Sequence, residues 1–186
     1  MGVAANPHRE RQRVLLTGLL PDITTDPAIE TAIDSVEAGR SGTIVAPVGI
    51  RPPLLAAVAS RAATPLVVLT ATGRDAESLT NALASWIPGV AMLPAWETLP
   101  HERLSPQVDT MARRIAVLRR LVHPITGDDS AGPMSVLVVP IRAFLQPIIS
   151  GLADLEPVRV RTGDILDLTE TTNRLAELGY ERVDMV

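Results

Sequence analysis

The chain has 186 residues, a formal net charge of −4, 46% hydrophobic and 20% charged residues, a balance that fits a soluble globular protein and gives no overall electrostatic case for binding nucleic acid. It contains no cysteine and no lysine, all 17 basic side chains being arginine. This excludes disulfides, thiol nucleophiles, cysteine metal sites, Schiff-base lysines and the lysine of a phosphate loop.

Residues 1–13 are polar and are expected to fray. The apolar run from Val14 is interrupted by Thr17 and Gly18 and stopped by Pro21. It is too short for a membrane span and lacks a small-residue cleavage site, and Asn6 stands where an acylation signal needs Ser or Thr. The expected location is cytoplasmic, with no membrane partner. Asp26 then caps a helix opened by Pro27, with Ala28, Ile29, Ala32, Ile33 and Val36 on one face and Gly39 past its end. Thr43 to Ala46 reads as a short buried strand. After Pro47-Val48-Gly49-Ile50-Arg51-Pro52-Pro53, Leu54 to Arg61 reads as a helix.

Pro65 opens PLVVLT, the clearest buried strand, and the following helix places Ala76, Leu79, Leu83 and Trp86 toward a core. Val90 to Leu93 is a third strand and Ser135 to Val139 a fourth, followed by a short helix ended by Pro147. Strand, helix, strand, helix, strand predicts a parallel sheet with right-handed crossovers. From Ser150-Gly151 the character changes. Pro157 to Arg161 alternates apolar and basic residues as a half-exposed strand would. Asp167 to Leu178 is a helix with Leu168, Thr171, Leu175 and Leu178 inward, stopped by Gly179, and Tyr180 starts another alternating strand. The expected divisions are residues 1–39 as a tail and leading helix, 40–150 as an α/β domain, and 151–186 as the incomplete beginning of a smaller α+β domain.

A phosphate loop, G-x-x-x-x-G-K-S/T, works because its glycines let backbone N–H groups wrap the phosphates while the lysine neutralises them. Laid on this chain, the glycines fall on Val45 and Ile50, the lysine on Arg51 and the Mg²⁺-binding hydroxyl on Pro52. Nucleotide hydrolysis is therefore not expected, and neither is a cofactor. His8, His101 and His123 lack metal-ligand spacing, and no nucleophile elbow is present. Asp128-Asp129 reads as solvated linker, and Glu97 and Glu102 as surface or capping groups. Catalytic and metal-binding residues are expected to be absent.

The most distinctive stretch runs from Pro94 to Leu121. A proline-broken loop enters a helix whose apolar stripe is Val108, Met111, Ile115, Leu118 and Val122. Arg113, Arg114, Arg119 and Arg120 occupy its other faces and read either as a solvated face or as a contact surface for DNA or an acidic partner. No aromatic residues are interleaved with them for stacking single-stranded nucleic acid.

The string Leu93 to Pro106 (LPAWETLPHERLSP) with Asp109-Thr110 resembles the N-terminal region of the bacterial transcription-repair coupling factors. VVLTATGRDAESL, VLVVPIRAFLQPI and LAELGYERVDMV extend the resemblance over residues 40–186. It implies a helicase-like fold similar to that of the excision-repair protein UvrB, with a smaller domain inserted and ATP binding lost. The loop from Pro94 to Pro106 would stand where UvrB carries a DNA-probing hairpin, and is too short to form one. The smaller domain would dock UvrA, and of the family's contact residues only Arg182 lies in this chain. RNA polymerase and DNA would be met by other parts of the full-length protein, an ATP-dependent translocase. The expected function is thus a non-catalytic module that recruits UvrA to stalled RNA polymerase in transcription-coupled nucleotide excision repair. The alternative is a DNA- or nucleotide-contacting fragment of an ATP-dependent translocase.

Overall fold

The computed structural model describes residues 16–97, 107–124, 133–156, 158, 160, 162–177 and 180. Over these the elements are α1 (Leu20–Thr24), α2 (Pro27–Glu37), α3 (Arg51–Arg61), β1 (Leu66–Thr70), α4 (Gly73–Leu83), β2 (Val90–Met92), α5 (Val108–Val122), β3 (Val136–Pro140), α6 (Ile141–Phe144) and α7 (Leu168–Glu177). Short 3-10 turns occupy Thr17–Leu19, Val48–Ile50 and Leu152–Asp154.

Local chemistry accounts for the starts of α2, α4 and α7. The Asp26 carboxylate accepts from the N–H groups of Ala28 (2.8 Å) and Ile29 (3.3 Å), leaving Pro27 where no donor is needed. Thr72 accepts from the Asp75 N–H at 3.1 Å while its hydroxyl donates to the Asp75 carboxylate, closing the first turn of α4. Asp167 caps α7 through the N–H groups of Thr169 and Glu170.

The sheet is parallel throughout, as the alternation of strands and helices predicts, with order β1-β3-β2. Val136 of β3 lies opposite Leu66 of β1 and Val90 of β2. All five residues of β3 are buried because it is central and covered on both faces. One face, with Leu66, Val68, Val90, Met92, Val136 and Val138, packs against residues of α1 to α4. The other, with Ala91, Leu137 and Val139, packs against Val117 and Leu118 of α5 and Ala143 of α6. The result is a three-layer α/β arrangement around a small sheet.

Gly89 makes the turn into β2 possible. Its φ is +76°, and a Cβ there would lie 2.9 Å from the Ser135 hydroxyl. Its carbonyl accepts from the N–H of Ser135 at 2.9 Å, which sets β3 beside β2.

Four expectations change. Thr43 to Ala46 form no strand: Val45 is 95% exposed, and the sheet runs no further than β1 among the described residues. The stripe on α5 is displaced, the buried residues being Thr110, Arg114, Val117 and Leu118 while Val108 and Val122 are exposed. Helix α7 forms as predicted but buries none of its residues, with Leu168 exposed and Thr171 and Leu175 half-buried, because no layer covers it among the described residues. Val158 and Val160 belong to no strand, and the remainder of that predicted strand falls on residues outside those described, as do Leu178, Gly179 and residues 181–186.

Candidate functional site

The family-like stretch builds a polar cluster between the end of β2 and helix α5. Leaving β2, buried Leu93 anchors the chain, and Pro94 to Glu97 then run across one side of α5 and the residues that follow β3. Arg114 is fully buried, donates from one terminal nitrogen to the Pro94 carbonyl at 2.6 Å, and lies 4.5 Å from the centre of the Trp96 ring. A planar, weakly hydrated guanidinium suits this pocket of ring face and carbonyl, where an ammonium would not. Its Nε has no partner, and burial pushes its pKa down.

Gln146 holds the backbone of Trp96 from the other side. Its carbonyl oxygen accepts from the Trp96 N–H at 2.8 Å, and its amide donates to the Trp96 carbonyl at 3.4 Å. Arg142 donates to the Glu97 carbonyl at 3.4 Å. The Thr110 hydroxyl, one helical turn before Arg114, donates to the Glu97 carboxylate. That bond holds the Glu97 carboxyl below its ordinary value of 4.5, outweighing a smaller desolvation effect in the other direction. The folded value being the lower one, the bond stabilises the fold above pH 4.5 and its contribution disappears as pH falls through the folded value. An NMR titration of Glu97 should give a midpoint below 4.5 that moves up in Thr110→Val. An unchanged midpoint would remove the hydroxyl as the cause.

The four arginines of α5 do not form one face. Arg113 pairs with Asp109 at 2.8 Å on the open side, Arg114 is in the core, Arg119 donates to the Leu155 carbonyl at 3.1 Å, and Arg120 donates to the Pro133 carbonyl at 3.4 Å. His123 meets Asp154 at 2.7 Å, so the end of α5 is tied to the 3-10 turn after Gly151. Glu97 is thus a partner of Thr110, while Thr110, Arg142 and Gln146 join the cluster unforeseen. The signal for Thr110 was its place one turn before Arg114, with Val117 and Leu118 completing the same stripe. Arg182, His8, His101, Glu102, Asp128 and Asp129 lie outside the described residues.

At the position of the degenerate phosphate loop, Val48–Ile50 make a 3-10 turn and α3 starts at Arg51. Pro52 and Pro53 have no N–H, and the Arg51 N–H is already given to the Val48 carbonyl. The first turn of α3 therefore has no N–H left to wrap a phosphate. Among the described residues, no group of three or more His, Asp or Glu side chains is placed to hold a metal, and no helix is long and apolar enough to cross a membrane.

No family model matches the chain. Among curated proteins, it is 46% identical over 147 residues to the transcription-repair-coupling factor of Mycobacterium bovis, and equally so to that of Mycobacterium tuberculosis. It is 27% identical over 135 residues to the transcription-repair-coupling factor of Escherichia coli. Over the matched residues, this chain is a homologue of the transcription-repair-coupling factors. The match to the mycobacterial coupling factors covers 77% of this chain and 12% of theirs, so the chain spans about an eighth of their length.

Proposed function

We propose that this chain is a non-catalytic interaction module from the N-terminal region of a transcription-repair coupling factor. The observation that carries the reading is the 46% identity to the mycobacterial coupling factors, over 77% of the chain. The α3 entrance supports its non-catalytic part: prolines replace the donors a nucleotide phosphate needs. In this reading residues 40–150 are a UvrB-like scaffold, and residues 151–186 begin a smaller domain that docks UvrA, with Arg182 in the contact. Recruitment of UvrA to stalled RNA polymerase would use that docking. The exposed apolar residues Ile165, Leu166 and Leu168 fit a surface that a partner or further chain covers. The DNA-contacting alternative draws less support, since Arg114 is buried and Arg119 and Arg120 donate to backbone carbonyls.

Two measurements test the reading. Calorimetry of the purified chain should show no heat of ATP binding, and micromolar, Mg²⁺-dependent affinity would sink the non-catalytic assignment. In a pull-down, the chain should retain UvrA and Arg182→Ala should retain less. Equal retention would take Arg182 out of the contact, and no retention by either would end the docking assignment.

A further inference from the structure

The C-terminal half of α5 meets the turn from Gly151 to Leu155, and three kinds of contact hold the two together. Leu152 and Ala153 pack on the apolar cluster that contains Val117 and Leu118 of α5. Arg119 donates to the Leu155 carbonyl at 3.1 Å. His123 Nε2 lies 2.7 Å from the Asp154 carboxylate, which can only accept, so the ring nitrogen donates. All three join α5 to the point where the chain leaves the sheet and its covering helices.

We propose that this turn is a releasable clasp. Closed on α5, it fixes the direction in which the chain leaves after residue 155, and it opens about Gly151 without unfolding the sheet. Three observations make it releasable. The charged tie stands in water, with the His123 and Asp154 side chains 40% and 64% exposed, and such pairs hold weakly. Closure also strands a donor: Arg119 Nε is buried with no partner among the described residues, and opening returns it to water. The apolar part is shallow, since Leu152 and Ala153 are only half-buried.

Gly151 supplies the pivot. Its φ is +80°, a left-handed conformation that glycine adopts without strain, and no atom lies within 4 Å of where a Cβ would stand. Backbone conformation rather than crowding therefore calls for glycine there. The turn that follows is closed by the Asp154 N–H, which donates to the Gly151 carbonyl at 3.0 Å. Beneath it, Val139 of β3 and Ala143 of α6 are almost fully buried, so the layer on which the turn rests stays in place when the turn lifts. Closed and open states direct the same downstream segment differently, whether or not that segment docks UvrA.

Because the chain has no cysteine, spin labels can be attached at two chosen sites, exposed Glu77 on α4 and exposed Glu156 just past the turn (Glu77→Cys, Glu156→Cys). Pulsed electron paramagnetic resonance on the labelled 186-residue chain should give a narrow distance distribution. Two variants then open the clasp by different routes. Arg119→Met with Asp154→Ala removes both polar ties, whereas Gly151→Ala leaves the tying side chains in place and strains the pivot. Each should roughly double the width of the distribution or add a second population, while the Val138 amide keeps its hydrogen-exchange protection. An unchanged distribution in either variant, or one already broad before substitution, would overturn the proposal. So would loss of Val138 protection in either variant, which would make the turn an inseparable part of the sheet's fold.

Discussion

Replacing Arg114 with alanine should destabilise the fold by about 3 kcal/mol, the cost of emptying a fully buried site and leaving a buried carbonyl without its donor. The loss has two parts that two further variants separate. Arg114→Met refills the volume with a flexible apolar chain and removes the desolvated charge, so it should cost roughly 1–2 kcal/mol, mainly the unpaired Pro94 carbonyl. Arg114→Lys keeps the charge but loses the planar stack on Trp96 and the fixed fork of donors, and should fall between them. Urea unfolding monitored by circular dichroism gives the order of the midpoints. Trp96 fluorescence should change in all three, since its ring loses the guanidinium. If Arg114→Ala unfolds at the wild-type urea midpoint, the residue does not hold the 94–97 segment.

The second large effect is expected at the centre of the sheet. Val138→Asp puts a carboxylate at a position with no exposure, on a strand whose two neighbours and two covering layers are apolar. Either the charge is buried unpaired or the carboxyl is neutralised by a strongly raised pKa, and the cost is about 4 kcal/mol or more. Against a typical total stability of roughly 5–15 kcal/mol, this should remove most or all of the cooperative thermal transition. Val67→Asp, the same chemistry on the half-exposed edge strand, should cost under about 1 kcal/mol because the charge remains in water. Similar melting temperatures for the two variants would contradict the assignment of β3 as the covered central strand and β1 as the edge.

The Thr43–Ala46 segment and helix α5 show how far each level of description reaches. A run of β-branched residues between helices has strand propensity, but a strand exists only where another strand offers its hydrogen bonds, and propensity cannot supply the neighbour. On α5, apolar periodicity selected the stripe containing Val108 and Val122. The helix instead turned Thr110 and Arg114 inward, because the Pro94–Glu97 segment offers a carbonyl, a ring face and a carboxylate to those polar side chains. Hydrophobic counting treats arginine as outward-facing, and only the partners across 20 residues of sequence separation reverse it.

From the sequence by itself follow the elements whose causes are local or periodic: the Asp26 cap, the strands at Leu66, Val90 and Val136, the inward face of α4, and the prolines that strip donors from the entrance to α3. The coupling-factor relationship is also carried there, in the string around Trp96. Tertiary structure alone decided the strand order, which places β3 between β1 and β2, and the separate fates of the four arginines of α5. The physical reason is one of range. Caps, turns and burial periodicity act over three or four residues, while strand neighbours and buried polar partners are set by segments that meet only after the chain has folded.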